Sequence, residues 1–329
     1  MKSLIKKLVE INSPSGYESK IRDVIRAEVE PYADDIRVDA LGNLIARKGH
    51  SGKKIMLAAH MDEIGVIITH IDEKGFARFT GLGGVRVANL PGSRVRFLNG
   101  ATGVIGLERA DENGRVPALD QMYIDLGASS RENCPVRLAD VAAFERPFAD
   151  LGNRLVSKAM DDRIGVAILI QTLARIKQPA HTLYFVFSVQ EEVGIRGAVT
   201  AAFSLDPDIG IAVDVTDTGD TPKGIKMEVS LGKGPAIKVR DSGMLTDPRL
   251  VELMVDTANK ARIPYQLEIL ERGTTDARAI QLTREGVPAG CISIPCRYIH
   301  SPSEMVDYSD VENAVNLLVK LLTNPFDIL

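Results

Sequence analysis

The 329-residue sequence contains no tryptophan, only 5% aromatic residues and three cysteines. Carbohydrate clefts usually supply aromatic platforms, so this composition argues against a glycoside hydrolase. The cysteines, Cys134, Cys291 and Cys296, lack metal-finger spacing, and a buried cysteine is more often an apolar core residue than a ligand. The sequence therefore predicts no zinc-finger site.

Long apolar runs and basic stretches are missing as well. No apolar run approaches the length of a membrane span, about 20 residues. The first eleven residues lack the apolar core and cleavage site of a signal peptide, so we expect a cytoplasmic protein that does not bind membranes. The formal net charge is −4 and no basic stretch is interleaved with aromatic residues, so no nucleic-acid partner is expected.

What is present is typical of a folded soluble protein with a large core, because 45% of the residues are hydrophobic and 26% are charged. After residue 157, strand patterns such as 182–189 and 208–215 alternate with helix patterns such as 195–204. This alternation predicts an α/β fold with a mostly parallel sheet covered by helices on both faces.

The segment 70–157 has a different texture, with short β-branched runs broken by glycine or proline and no convincing long helix. This pattern predicts a small β domain, resembling a barrel, inserted between two parts of the main domain, 1–69 and 158–329. Two helix starts are also predicted from capping boxes, Ser15 with Glu18 and Ser309 with Glu312.

Acidic residues and histidines follow apolar runs at several places. The doublet Glu191 and Glu192 ends one run, and successive side chains of an extended chain point in opposite directions. One glutamate can therefore ligate a metal while its neighbour acts as a general base. The other positions are His60 with Asp62, the Asp161–Asp162 pair, Asp214 and His300. In parallel sheets, small molecules and ions bind beyond the carboxyl ends of the strands. One crevice there could bring these acidic and histidine side chains together as the metal ligands of a two-metal hydrolase.

Each of these positions also has an ordinary structural interpretation. Asp62 could be a solvated turn aspartate, and His300 could be a loop histidine before Ser301 and Pro302. Either aspartate of the pair 161–162 could cap the helix that begins near residue 163. Capping and metal binding are compatible within one pair.

The segments around these residues resemble the tetrahedral, or TET-type, aminopeptidases, which are dinuclear metallopeptidases. The resemblance covers nearly the whole chain in order and rests on the segments 59–65, 158–163, 191–194, Asp214 and His300–Ser301. It implies release of amino-terminal residues from short peptides, with two zinc or cobalt ions per chain. It also implies that the inserted domain is a dimerisation domain and that the dimers build a hollow homo-dodecamer.

The resemblance further implies a role for each residue. Asp161 would bridge two cations about 3.5 to 4 Å apart. His60 and Asp214 would complete the ligands of one cation, and Glu192 and His300 those of the other. Asp62 would accept the second ring proton of His60, and Glu191 would be the general base.

Some features give no further prediction or depart from the family. Loops 240–241 and 272–276 resemble those that line the family's specificity pocket, but they carry charges of both signs and predict no side-chain preference. The polar stretch 106–114 departs from the family pattern.

Two other function classes stay open. An inactive peptide-binding or scaffold homologue would lack a ligand or the base, and none is missing here. A glycoside hydrolase, such as an endoglucanase, would need two carboxylates about 5 to 9.5 Å apart across a sugar.

Overall fold

The computed structural model describes residues 1–108, 118–326 and 328. Its helices are α1 (Lys2–Val9), α2 (Ser19–Val29), α3 (Met160–Arg175), α4 (Arg196–Leu205), α5 (Pro248–Ala261), α6 (Asp276–Gln281) and α7 (Tyr308–Thr323). None of these described helices is long and apolar enough to cross a membrane. Most of the polar stretch predicted to depart from the family, from residue 109 onward, lies outside the described residues.

The strands form a main sheet and a barrel. They are β1 (Asp35–Val38), β2 (Leu44–Lys48), β3 (Lys54–His60), β4 (Gly65–Ile71), β5 (Ala77–Leu82), β6 (Arg94–Phe97), β7 (Thr102–Leu107), β8 (Met122–Asp125), β9 (Val141–Phe144), β10 (Ala149–Asp150), β11 (Arg154–Ser157), β12 (Thr182–Ser188), β13 (Ile209–Thr216), β14 (Ala236–Arg240), β15 (Gln266–Ile269), β16 (Ala289–Arg297) and β17 (Glu304–Asp307). The main sheet has the order β1-β2-β12-β3-β13-β16-β17-β11-β10, and β14 pairs with β16 on one side and with β15 on the other.

Helices cover both faces of the main sheet. In β3, Ile55 and Leu57 pack into the core that contains α3, whereas Met56 and Ala58 pack with residues of α4 and α6. The central strands β12, β3, β13 and β16 are parallel, and the strands at both flanks join them antiparallel. The predicted α/β class is confirmed, with the parallel arrangement concentrated at the centre of the sheet.

The predicted inserted β domain is a closed barrel in the order β4-β5-β8-β7-β6-β9. Its interior is filled by apolar side chains that include Val66, Phe79, Val95 and Ile124. The barrel strands lie between residues 65 and 144, so the barrel begins before the predicted boundary at residue 70. Strands β10 and β11 lie within the predicted insert, but β11 pairs with β17 and belongs to the main sheet.

Both predicted capping boxes are wrong. Glu18 occupies the N-cap position of α2 and no side chain caps that helix, because the Ser15 hydroxyl donates instead to Asp62 Oδ2 over 2.6 Å. Helix α7 is capped by Asp307, whose carboxylate accepts a 2.7 Å hydrogen bond from the backbone N–H of Ser309. In the first case a tertiary hydrogen bond replaced the local cap.

A buried ionic cluster fastens the amino-terminal segment to the main domain. The Arg163 guanidinium is fully buried, and its Nη1 donates to the carbonyl oxygens of Leu8, over 2.7 Å, and Ile11, over 3.2 Å. Glu63 Oε1 lies 3.7 Å from Arg163 Nη2, and Glu63 Oε2 accepts a 2.6 Å hydrogen bond from Lys158 Nζ. Removing one member leaves uncompensated charge or carbonyl groups away from water.

We expect Arg163→Leu to lower the free energy of unfolding by about 3–5 kcal/mol, because breaking a buried ion pair strands its partners. Urea denaturation measures this loss. Arg26→Leu, on the exposed face of α2, is the control and should change stability by less than about 0.5 kcal/mol. A loss below about 1 kcal/mol for Arg163→Leu would contradict the proposed role of the cluster.

Candidate metal centre

The candidate site lies at the carboxyl ends of three neighbouring parallel strands. His60 is the last residue of β3, Glu191 and Glu192 follow β12, and Asp214 lies near the end of β13. Asp161 enters from the first turn of α3. His300 comes from the loop between β16 and β17, so the site collects side chains from both halves of the chain.

The predicted ligand residues form two groups that share one carboxylate. Ligand atoms of His60, Asp161 and Asp214 lie within 4.8 Å of one another, and so do those of Asp161, Glu192 and His300. Asp161 Oδ1 lies 3.0 Å from His60 Nε2, and Asp161 Oδ2 lies 3.3 Å from His300 Nε2. Glu192 Oε2 lies 3.2 Å from the same His300 nitrogen. The structure therefore brings all five residues together, with Asp161 in the middle.

Asp62 holds the glutamate doublet. This fully buried carboxylate accepts hydrogen bonds from the backbone N–H groups of Glu191, over 3.0 Å, and Glu192, over 3.2 Å. Its Oδ1 lies 3.5 Å from His60 Nδ1, which is longer than the 2.6 Å hydrogen bond that its Oδ2 accepts from the Ser15 hydroxyl. Asp62 is thus a structural anchor for the doublet and faces the His60 ring, and it is not a solvated turn residue.

The two adjacent aspartates have different surroundings. Their peptide bond is cis. Asp162 is fully buried, and its Oδ1 accepts a 3.0 Å hydrogen bond from the backbone N–H of Gly165, as a helix-capping aspartate does. Asp161 instead points both oxygens at the histidines of the two ligand groups. The capping interpretation therefore applies to Asp162 and the ligand arrangement to Asp161.

Glu191 lies beside the ligand groups without belonging to either. Its side chain is 12% exposed, and its Oε2 lies 4.0 Å from His60 Nε2. It also lines the cavity above the site. Its neighbour Glu192 is only 3% exposed and belongs to one ligand group, so the two carboxylates do point to different places.

Crowding of buried acids dominates the electrostatics of the site. Burial, with repulsion from neighbouring carboxylates, raises the pKa of Glu191 and of Asp214 well above the usual range. Burial also opposes ionisation of Asp161, but hydrogen bonds from His300 and His60 lower its pKa. Burial disfavours the charged form of His300, yet Asp161 and Glu192 raise its pKa to about 12. The cluster thus has excess negative charge and attracts protons or cations.

The donor set fits a pair of divalent cations. Glu192 Oε1 is buried and has no hydrogen-bond partner, which is unusual for a buried carboxylate oxygen unless another ligand takes it. Imidazole nitrogens mixed with carboxylate oxygens are the ligands that zinc and related transition metals prefer. A carboxylate shared between two such groups is the arrangement that can hold two ions close together.

Two further acids approach the site: Glu304, which no sequence pattern indicates, and Asp276, which the sequence indicates only as part of the loop 272–276. The Glu304 carboxylate accepts hydrogen bonds from the backbone N–H groups of Asp161 and His300. Asp276 Oδ2 accepts a 2.5 Å hydrogen bond from the Ser188 hydroxyl, while its Oδ1 has no partner. Burial raises the pKa of Glu304 to about 8 and that of Asp276 to about 6. Neither residue follows an apolar run, which is the feature that marks the ligand residues.

A cavity of about 730 Å³ opens above the ligand groups. Its walls include residues 272–275, as the resemblance implies, whereas Arg240, Asp241 and Asp276 do not line it. Arg86, which follows the barrel strand β5, also lines the cavity, and its Nη2 lies 3.5 Å from Asp217 Oδ1 in the main domain. The cavity is of a size that holds small ligands and is far too small for a folded protein.

Comparison with known proteins gives a consistent result. The model of the M42 glutamyl aminopeptidase family matches residues 42–317. A putative aminopeptidase of Acetivibrio thermocellus is 50% identical, with 98% of each chain covered. An aminopeptidase structure from the archaeon Desulfurococcus kamchatkensis superimposes with a TM-score of 0.94 at 43% identity, covering 98% of this chain and 94% of that one.

A second structural neighbour is the Pyrococcus horikoshii TET1 peptidase, described as able to assemble into a tetrahedron or a large octahedral shell. It has a TM-score of 0.88 and 32% identity, and the match covers 98% of this chain and 99% of that one. Family, relatives and fold agree over almost the full length. The chain belongs to the M42 glutamyl aminopeptidase family, of the TET aminopeptidase type, and is an enzyme that hydrolyses peptide bonds.

Proposed function

We propose that the protein is a metal-dependent aminopeptidase that releases amino-terminal residues from short peptides, with two divalent cations, zinc or cobalt, per chain. The observation that carries this proposal is the pair of ligand groups that share Asp161 at the base of the cavity. In one group His60 and Asp214 complete the ligands, and in the other Glu192 and His300 do so. A free peptide amino group is suited to this pocket because the surrounding carboxylates attract a cationic or metal-binding group.

Cations held by His60, Asp214, Glu192, His300 and the shared Asp161 would supply Lewis acidity to the scissile carbonyl and to the attacking water. Glu191 takes a proton from that water and delivers it to the leaving amine, as a general base and then a general acid. Its side chain faces the cavity and stands outside both ligand groups. Asp62 holds the backbone of Glu191 and so positions the base.

The rival functions have less support. The relatives compared above are aminopeptidases, and no ligand or base residue is missing, which disfavours an inactive scaffold. A glycosidase needs two carboxylates held across a sugar ring. Here Asp161 and Glu192 instead converge on the His300 imidazole.

The adjacent glutamates should respond differently to the same substitution. We expect wild-type protein reconstituted with zinc to hold about two ions per chain, as a dinuclear site requires. Glu191→Gln should keep that content and lower turnover by about 10² to 10⁴, because it removes the proton acceptor and leaves the ligands intact. Glu192→Gln should lose one ion. Elemental analysis and single-substrate kinetics measure both effects.

Each glutamate variant is the matched control of the other, since the change of charge is the same and the positions are adjacent. If Glu191→Gln loses the ion and Glu192→Gln keeps it, the roles of base and ligand are exchanged. Full activity in protein stripped of metal by a chelator would contradict the proposed mechanism.

Short unblocked peptides should be shortened one residue at a time from the amino end, giving a ladder of masses over time. Acetylated copies of the same peptides should be cut far more slowly, because the neutral amide cannot contact a cation as the free amine does. Mass spectrometry reads out the ladder. Early internal fragments would instead indicate an endopeptidase. Sugar release from soluble cellulose derivatives that is abolished by Glu191→Gln would indicate a glycosidase.

We also propose that the barrel domain is a dimerisation domain and that its dimers build a homo-dodecamer. The assembly described for the Pyrococcus horikoshii peptidase supports this, as do the exposed apolar side chains Val104, 43% exposed, and Leu138, 67% exposed, in the barrel segment. Burying these two side chains at an interface would be favourable, so they are candidate contact residues.

Static light scattering at micromolar concentration should give a mass near twelve times 35.7 kDa. The double substitution Val104→Lys and Leu138→Lys should shift this mass downward, because charged side chains are costly to bury at an interface. The matched control, Val199→Lys with Leu267→Lys, changes exposed apolar residues of the main domain in the same way. A wild-type monomer would refute the assembly proposal without affecting the proposed chemistry.

A further inference from the structure

One buried carboxylate ties together the backbones of two ligand residues that come from different elements. Glu304 is the first residue of β17 and is 1% exposed. Its Oε2 accepts a 3.0 Å hydrogen bond from the backbone N–H of Asp161, at the start of α3. Its Oε1 accepts a 2.8 Å hydrogen bond from the backbone N–H of His300, in the loop before β17. Both oxygens are thus used by the backbone, and Glu304 belongs to neither ligand group.

The loop that carries His300 requires such a restraint. His300 has a φ of 61° and Tyr298 a φ of 64°, both in the left-handed region that residues with a Cβ rarely adopt. Such conformations persist where surrounding contacts hold them. The hydrogen bond to Glu304 Oε1 is a contact of this kind, because it fixes the N–H of the residue with the unfavourable φ.

The imidazole of His300 is restrained from the opposite side by the barrel domain. A Cβ built on Gly84 would lie only 2.6 Å from His300 Nδ1, so the glycine backbone lies directly against the ring. Backbone and ring are therefore held by two independent contacts. The His300 side chain is 30% exposed and lines the cavity, and these two contacts limit how far its ring can move.

Asp161 is the residue that both ligand groups share, so its distance from His300 sets the dimensions of the second group. His300 Nε2 lies 3.3 Å from Asp161 Oδ2 and 3.2 Å from Glu192 Oε2. Because Glu304 binds the N–H groups of both Asp161 and His300, it fixes these two backbones relative to each other.

We propose that Glu304 is a positioning residue that sets the separation of Asp161 and His300 and thereby the affinity for the cation held by Asp161, Glu192 and His300. The proposal rests on the proposed function, since it concerns one of the two cations assumed there. Glu304 touches no reacting atom and is therefore not a catalytic residue. Its role is to keep two ligands at a separation that a cation can bridge.

The test is a pair of isosteric substitutions. In Glu304→Gln one carboxylate oxygen becomes an NH₂ group, which cannot accept from a backbone N–H, so either Asp161 or His300 loses its acceptor. The matched control is Asp310→Asn. Asp310 is also buried and accepts two backbone hydrogen bonds of 2.7 Å, from Gly232 and Gly234, neither of which belongs to a ligand group.

Both variants lose one buried N–H···O contact, and both should be less stable than wild type. Calorimetric titration of the metal-free proteins with Zn²⁺ separates their effects. Glu304→Gln should bind one of the two ions, the one assigned to Asp161, Glu192 and His300, about 10- to 100-fold less tightly, the usual cost of losing a group that orients a metal ligand. Asp310→Asn should bind both ions as wild type does. Activity of Glu304→Gln should recover at correspondingly higher zinc concentration.

Wild-type affinity for both ions in folded Glu304→Gln would overturn the proposal while leaving the proposed function standing. If the wild-type protein itself binds no divalent ion, this proposal and the proposed function are both contradicted. Should Glu304→Gln fail to fold, Glu304→Asp decides the matter by the same titration, because it keeps both oxygens and the charge but shortens the reach by one methylene. Unchanged zinc affinity in that variant would also overturn the proposal.

Discussion

The constraint on which the site depends is the burial of several carboxylates in one crevice. An ionised carboxylate away from water is costly unless charge or hydrogen bonds compensate it. Asp161, Glu191, Glu192 and Asp214 all lie within this crevice, and their burial and mutual repulsion favour the neutral forms of Glu191 and Asp214 by raising their pKa values. Added positive charge would compensate such a cluster, which is why its donor atoms suit cations. The fold must hold these crowded acids together.

Two other buried acids, Asp62 and Glu304, hold the site together by accepting hydrogen bonds from backbone N–H groups. Asp62 binds the N–H groups of Glu191 and Glu192, and Glu304 binds those of Asp161 and His300. The N–H donors favour the charged forms of these two acids and so offset part of the cost of burying them. The ligand residues are then fixed through their backbones, and their side-chain oxygens stay available to bind a cation. Bonds to the side chains themselves would instead have consumed the oxygens that a metal needs.

The sequence indicates the ligand candidates and Asp62 but not Glu304, for a physical reason. His60, Glu192 and Asp214 stand at or just beyond the ends of apolar strands, and a buried parallel strand leaves a recognisable apolar run. The structure brings them together as predicted. Glu304 starts the short strand β17, whose pairing with β11 is distant in the chain and leaves no local period. Ser15 shows the opposite failure, because a local capping pattern was present and a tertiary bond to Asp62 replaced it.

The placement of the barrel follows from the same arrangement. Strand β4 begins at Gly65, shortly after His60, so the chain leaves the main domain beside a ligand residue. The barrel strands end at Phe144, and the chain rejoins the main sheet through β10 and β11 before it reaches Asp161. Gly83 and Gly84, which follow the barrel strand β5, lie against the site. A Cβ on Gly83 would lie 3.0 Å from Glu192 Oε2, and one on Gly84 would lie 2.6 Å from His300 Nδ1. The inserted domain is thus attached just after His60, in one ligand group, and packed against Glu192 and His300, in the other. A shift of the barrel relative to the main sheet must therefore displace ligands of both groups.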